Sequence, residues 1–472
     1  MKKTIVSLSI IIGLAAVSTS CEKYFEDAIA TPNDPTKVTP ALLLANIEVA
    51  TFSNFGGQLA RQTQMMVQQA AGTTEGSQTT EIMNYNITEL TNENEWGVIY
   101  NGVLMNGKIL VDDFGAANPH YSGIARVIMA MNLGSATDLW GDVPYSNALN
   151  GLNGELTPTY DLQQDLLDDT NPNSIFALLD QAIADLQQPA SANAFFPGSE
   201  DFIYGGDVSL WIKAAYSLKA RYYNRLSEVD GPGSAAKALD ALANGKAISS
   251  SSEDALMKFG TGGNSQNQWY AYEQARPQYI KMGKFFVDSL VSTNDPRLPF
   301  YADQDTSGNY SGTPKDMIDQ THTSDIGDYL SEVDASIPLI SYAEMKFIEA
   351  EAQLRGGSSG DAATAHNDAV KASVMAVTGA AAPTAFETAY ASEDGTSINQ
   401  EKIMYQKYVA LFGQIEVYCD FRRTGFPGIT PTTGGQTSTI PVRLIIPQNE
   451  RLYNPNAATF VRGLTEPVYW DK

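Results

Sequence analysis

The sequence predicts a mostly α-helical fold in which tetratricopeptide-like helix pairs form a scaffold, completed by a loop-rich irregular lobe and a few short strands. Three observations carry this reading. Apolar residues recur every three to four positions in ten segments, two of those segments are separated only by a short turn at Gly356-Gly357, and two long stretches have the Gly, Ser, Asn and Asp content of loops. Consecutive helix pairs of this size suggest tetratricopeptide-like stacking, although the full Trp, Leu-Gly and Tyr repeat pattern is not visible. At 472 residues the chain exceeds the roughly 250–300 at which one core stops growing, so two lobes or a scaffold carrying an insert are expected. With 43% apolar and 18% charged residues its composition is that of a globular protein.

The N-terminus reads as an address. Lys2 and Lys3 precede an apolar run over 5–17, then Ser18, Thr19, Ser20 and Cys21. Residues 1–20 have the basic, apolar and small-residue order of a signal peptide that is removed. The apolar run is shorter than the ~20 residues that span a bilayer. Cys21 sits where a bacterial lipoprotein box places its lipidated cysteine. The usual Leu three positions earlier is replaced by Ser18, and Glu22, Glu26 and Asp27 resemble the charged flank of a surface-export signal. Residues 21–40, with Pro32, Asn33, Asp34, Pro35 and Pro40, are expected to be a lipidated tether and extended leader. Residues 41–472 are expected to form a single domain with a variable, loop-rich region at about 257–340.

Helices are predicted near 41–70, 93–112, 120–138, 174–188, 208–227, 233–245, 279–293, 341–355, 361–377 and 399–424. Asp207 can cap the fifth, whose Leu210, Ala214, Leu218, Tyr222 and Leu226 repeat every four residues. In the last, Met404, Tyr408, Leu411, Phe412 and Ile415 make one apolar stripe before Gly425 and Pro427 end the helix. Residues 442–446, between Pro441 and Pro447, read as a short strand. Residues 71–92 and 257–340 read as loops, and aromatics embedded in them argue against disorder.

Charge and chemistry exclude several functions. The net charge of −24 repels phosphate backbones, and the basic residues form no concentrated face, so no nucleic-acid binding is expected. Cys21 and Cys419 make neither a disulfide framework nor a zinc site, and Cys419 is expected to be a buried thiol. His120, His322 and His366 lie far apart, with no metal-binding spacing. Neighbouring acids such as Asp112/Asp113 cannot flank a glycosidic bond, and Gly260-Thr261-Gly262-Gly263 lacks the Lys of a phosphate loop. No catalytic constellation, cofactor site or metal site assembles from these residues.

With 23 tyrosines and five tryptophans, flat apolar faces with polar edges are abundant, which suits sugars. In residues 264–279, Trp269, Tyr270 and Tyr272 are flanked by Asn267, Gln268, Glu273 and Arg276 without a clear helical period. Trp269 reads either as a stacking platform or as a side chain pinning a loop to the scaffold. Trp96 with Asn101 is the second candidate, the alternative being a helix-start tryptophan in the core. Tyr85 and Tyr310, in Asn- and Gly-containing loops, are third. Trp140 and Trp211 are assigned to the core, and Arg422 and Arg423 to ion pairs with helix carboxylates.

Several blocks together resemble one family. The order IMYQKYVALFGQ (403–414), Asp420, RRTG (422–425) and Pro427 closely resembles the C-terminal signature of the SusD/RagB family of nutrient-binding outer-membrane lipoproteins. TDLWGDVPY (137–145), SLWIKAAYSLKARYYNR (209–225), NDPRL (294–298), YAEMKFIEAEA (342–352) and IPVRLIIPQNE (440–450) resemble further family blocks, in the family's order, and Asn454-Pro455-Asn456 falls where an Asn-rich tail is common. Cys419 and Ile446 depart from the usual aromatic or Asp and the usual Tyr. The resemblance implies a helical fold with tetratricopeptide-like pairs and a lipid anchor at the outer membrane, facing the exterior. It also implies capture of a glycan for a SusC-like TonB-dependent transporter. Capture of peptides for the same kind of transporter, and a lid role without ligand affinity, are the alternatives.

Overall fold

The computed structural model describes residues 38–319 and 322–471. The predicted signal peptide 1–20, Cys21 and the tether up to residue 37 lie outside the described residues. Local capping explains where the long helices begin. Asp207 Oδ1 accepts the amides of Ser209 (2.9 Å) and Leu210 (3.3 Å) to start Val208–Arg225, as its position predicts. Ser341 Oγ accepts the Glu344 amide (3.2 Å) ahead of Tyr342–Gly356, and Asn399 Oδ1 accepts the Lys402 amide (3.0 Å) ahead of Gln400–Ala410.

The helices pack in consecutive antiparallel pairs. Pro119–Trp140 lies against Ile175–Leu186, Val208–Arg225 against Gly231–Leu242, and Tyr342–Gly356 against Ser359–Thr378. Each pair also touches the next, through Ile175–Leu186 with Val208–Arg225 and Gly231–Leu242 with Tyr342–Gly356. Stacked pairs bury their apolar faces against one another: the main core contains Trp140, Trp211 and Trp470, each at most 1% exposed, and Phe347, Val370, Ile403 and Met404 belong to a second cluster beneath the last pair. Two small antiparallel pairings tie the irregular lobe to the scaffold: Ala70–Gly72 with Ile280–Met282, and Ala255–Met257 with Ile337–Ile340. Among the described residues no helix is long and apolar enough to cross a membrane.

Several elements differ from expectation, among them the expected loop 71–92, which contains the helix Gln78–Met83 capped by Ser77. The stripe over 399–424 is not one helix: Gln400–Ala410 ends, Gly413 takes φ +86°, and Glu416–Thr424 starts afresh. Gln64 stabilises the break, its Oε1 accepting the Gly413 amide (2.9 Å) and its Nε2 donating to the Gln414 carbonyl (3.0 Å). Any Cβ at Gly413 would meet Leu330 at 2.6 Å, so a side chain is excluded there. The helix expected over 279–293 begins only at Lys284, because residues 280–282 pair as a strand. The helix expected over 41–70 kinks at Gly57 (φ −106°, ψ −129°), and the expected strand 442–446 is absent. Its backbone instead bonds one residue at a time to different partners, Val442 N–H to the Leu464 carbonyl (2.8 Å) and Leu444 N–H to the Leu139 carbonyl (2.7 Å).

Buried ion pairs join the helices. Glu351 receives Lys407 (2.9 Å) and Arg423 (2.6 Å), and Asp420 receives the same two cations at 2.8 Å each. Arg221 pairs with Glu344 (2.7 Å), and Arg225 bridges Glu416 and Asp138. Arg423 thus pairs with carboxylates as predicted. Arg422 does not: it lies over the rings of Tyr418 (4.3 Å) and Trp470 (4.5 Å) and donates to the Val442 carbonyl (2.6 Å). Cys419 is fully buried, and burial pushes its thiol up to about 12.

Two predictions follow from this interior. Burial opposes the Glu351 charge, but Arg423, Lys407 and Arg355 outweigh it and hold the carboxyl well below its ordinary 4.5. Its stabilising contribution is therefore present above the ordinary glutamate range and lost as pH falls through the lowered value. Glu351→Gln leaves two buried cations short of a partner and is expected to cost about 3–5 kcal/mol at pH 7 in urea unfolding, a gap that narrows in acid. Glu48 behaves oppositely. Burial, then the Asp201 charge, push it up to about 10, while Asp201 accepts Trp211 Nε1 (2.7 Å) and the Gly206 amide (2.8 Å). A raised carboxyl contributes stability that is full below 4.5 and declines as pH rises towards the folded value. Glu48→Gln, the isosteric neutral form, is expected to raise Tm at pH 7 by a few degrees and to match the parent in acid.

Candidate functional site

The site begins with core aromatics brought to the surface at one edge. Trp96, in Glu93–Gly97, packs edge-on to Trp140 (5.3 Å, 80°) and against Tyr100 (4.7 Å, 33°). Tyr100 donates its hydroxyl to the Pro144 carbonyl (2.8 Å), holding the following loop against this aromatic floor. The opposite wall is the short helix Gln448–Tyr453. Arg451 fixes it to Glu89 (2.7 and 2.8 Å), and the Asn449 amide donates to Glu93 (3.0 Å). Asp161 Oδ2 accepts the amides of Tyr145 and Ser146 (2.8 Å each) and shapes the third side.

These elements enclose an open cavity of about 520 Å³, within the ~300–1,000 Å³ of small-molecule sites. Trp96 (7% exposed) forms its floor, whereas the Tyr453 ring, 76% exposed, stands free at its edge. Asn101, Asn449, Glu93 and Glu450 supply polar groups around it. Leu149, in the wall, has φ +63°, an uncommon conformation for a non-glycine residue and one that concentrates at ligand sites. A neighbouring cavity of about 220 Å³, lined by Arg126 and Asn150 among others, shares Ala148 and Leu149 with the first.

The aromatic segment around Trp269 is arranged otherwise. Residues Gln268–Ala275 form a helix, not the irregular stretch expected, because Asn267 Oδ1 caps it through the Trp269 (2.7 Å) and Tyr270 (3.2 Å) amides. That turn rotates Trp269 inward, leaving it 4% exposed. It lines a cleft of about 260 Å³ with Tyr270, Tyr272, Glu273, Asp303 and Asp325. Arg61 covers the Tyr272 ring at 4.3 Å, and Arg276 stands 5.3 Å from the same ring. Burial lowers Arg61 to about 10 and raises Glu273.

The candidates are therefore scattered. Trp96 and Asn101 share one cavity, and Trp269, Tyr270 and Tyr272 share another, with Arg276 beside Tyr272. Tyr85 is 1% exposed with φ +58°, and its hydroxyl accepts the Thr432 amide (3.3 Å), so it clamps a loop and offers no face to solvent. Tyr310 packs half-buried on the main core. Tyr453 and Asn449 were not among the sequence candidates. Their signal was faint: one tyrosine before Asn454-Pro455 in a polar tail.

Among the described residues, Asp138, Glu416 and Cys419 bring ligand-type atoms within 4.8 Å of one another. Arg225 already occupies that position, 3.2 Å from Asp138 Oδ2 and paired with Glu416, so the group neutralises a guanidinium and does not fit a metal ion.

Comparison with known proteins places this architecture. The SusD-like profile described as starch-binding, associating with the outer membrane, matches residues 32–447. The chain belongs to this SusD-like family. A solved chitin-binding protein is 25% identical over 92% of this chain and 100% of its own, with a TM-score of 0.76. A chitin-binding SusD homologue from Flavobacterium johnsoniae (20% identity, 91% and 98% coverage, TM-score 0.77) shares the fold. So does a SusD/RagB family protein from Bacteroides thetaiotaomicron (24%, 92% and 99%, 0.72). No curated protein matches the chain.

The burial of Trp269 yields a test. Trp269→Ala is expected to destabilise the protein by about 3–5 kcal/mol, read from the midpoint of urea unfolding.

Proposed function

We propose that this chain is a glycan-binding lipoprotein whose ligand lies in the Trp96–Tyr453 cavity. One observation carries the reading: a tyrosine ring 76% exposed at the mouth of a cavity of about 520 Å³ whose rim is carboxamide and carboxylate. A pyranose ring offers an apolar C–H face to such a ring and hydroxyls to such a rim. Tyr453 stacks, Asn101 and Asn449 hydrogen-bond, and the Trp96–Tyr100–Trp140 floor holds these groups in place. The neighbouring cavity on the same loop, at Ala148 and Leu149, suits a chain of sugars over a single one. The starch-binding description of the family and the chitin-binding relative support a glucan or N-acetylglucosamine polymer.

Binding is the whole activity in this reading, with no bond made or broken. Lipidated at Cys21 and held on the outer face of the outer membrane, the protein passes its glycan to a SusC-like TonB-dependent transporter.

Titration calorimetry with malto- and chito-oligosaccharides tests the site. Tyr453→Ala and Asn101→Ala are each expected to weaken binding about tenfold, ~1.4 kcal/mol, with the fold intact by circular dichroism. Unchanged affinity in both variants, with loss on Tyr270→Ala, would move the site to the Trp269 cleft.

A further inference from the structure

The charges that line the Trp96–Tyr453 cavity are all of one sign. Glu93 and Glu450 belong to its lining, and among the described residues no Lys, Arg or His does. Glu93 Oε1 accepts the Asn449 amide (3.0 Å). Glu450, the next residue of the same wall helix, accepts the Tyr160 hydroxyl (3.1 Å) and Asn454 Nδ2 (2.8 Å), also through Oε1. The two carboxylates therefore meet the same turn of the wall. Glu450 also acts on the floor: burial first, then Tyr160 and the Glu450 charge, raise the Tyr100 hydroxyl well above its ordinary value.

The second oxygen of each carboxylate is uncommitted. Among the described residues, Glu93 Oε2 and Glu450 Oε2 accept no hydrogen bond and meet no cation within ion-pair distance, and both reach solvent. The nearby Glu89 differs, because Arg451 satisfies both its oxygens (2.7 and 2.8 Å). Acceptor-only groups call for donors, and their charge calls for a cation. A sugar hydroxyl supplies a donor but leaves the charge uncompensated as the ligand displaces water. An acetamide supplies one N–H together with a carbonyl, an acceptor that a carboxylate cannot answer. An ammonium supplies three donors and the opposite charge, and an aromatic face such as that of Tyr100 or Tyr453 attracts it further.

We infer that the cavity selects a glycan whose units carry a free amine over N-acetylated and nitrogen-free chains, an inference that rests on the glycan-site reading above. The ammonium pairs with Oε2 of Glu93 or Glu450, the sugar ring lies on Tyr453, and Asn101 and Asn449 take its hydroxyls. The net charge of −24 draws a cationic chain towards the protein. That field is diffuse, so the selection itself belongs to the two carboxylates in the cavity.

The test is titration calorimetry of the full chain with a glucosamine tetramer, its N-acetylated form and cellotetraose, the same β-linked chain without nitrogen. The amine tetramer is expected to bind about tenfold more tightly than the other two. Glutamine keeps the Oε1 acceptor and removes the charge, so Glu93→Gln and Glu450→Gln are each expected to cut that preference about threefold, and the double variant to abolish it. Asp334→Asn removes one exposed charge outside the cavity lining and should leave the preference unchanged. Equal or weaker binding of the amine tetramer, while Tyr453→Ala still weakens the other chains, overturns the amine selection and leaves the glycan site standing. A preference that survives both glutamine variants, or falls equally in Asp334→Asn, is diffuse attraction and overturns it too. If no tetramer binds, or none responds to Tyr453→Ala, the glycan site and the selection fall together.

Discussion

Everything at the proposed glycan site depends on a constraint buried far beneath it: the cations Lys407, Arg423 and Arg225 must meet carboxylates from other helices. Glu351 and Asp420 share Lys407 and Arg423, while Arg225 bridges Glu416 and Asp138. A buried charge left unpaired is too costly to tolerate, so the Pro119, Val208, Tyr342 and Gln400 helices and Glu416–Thr424 meet in one register. That register places Arg422 between Tyr418 and Trp470, with its guanidinium on the Val442 carbonyl. Residues 441–447 then run beneath Trp140, whose indole donates to Ile445 (3.0 Å), and deliver the helix that ends at Tyr453. The route from ion pairs to binding ring is continuous.

The site combines two kinds of material. Its floor belongs to the core: Trp96 rests on Trp140, Tyr100 packs on Trp96, and both move only if the scaffold moves. Its rim belongs to short, polar, hydrogen-bonded segments held by Glu89, Glu93 and Asp161. Relatives at 20–25% identity keep the fold, and polar edges on short segments can be exchanged without disturbing the apolar support beneath them.

Much of the scaffold was legible from short-range signals. The Asp207 cap, the Gly356-Gly357 stop and the fourfold spacing through Tyr222 all report on neighbours within one helical turn. Misreadings arose where a distant residue decided the outcome. Gln64 and Leu330 break the stripe at Gly413, and Leu139 and Leu464 take the bonds that a partner strand would have taken from 442–446. Trp269 was misjudged as irregular because its apolar neighbours are few, yet Asn267 caps a helix there.

Periodicity, capping residues and block order by themselves determined a helical, paired scaffold of the SusD-like kind and the burial of Trp140, Trp211 and Cys419. They also named Trp96 and Asn101, whose neighbourhood within one helix is a local property. Only the tertiary structure decided that Tyr453, more than 350 residues further along the chain, faces the same cavity, and that Trp269 turns inward. The physical reason is that exposure belongs to a side chain's surroundings. Those surroundings are assembled by buried ion pairs and backbone bonds between segments that lie far apart in sequence.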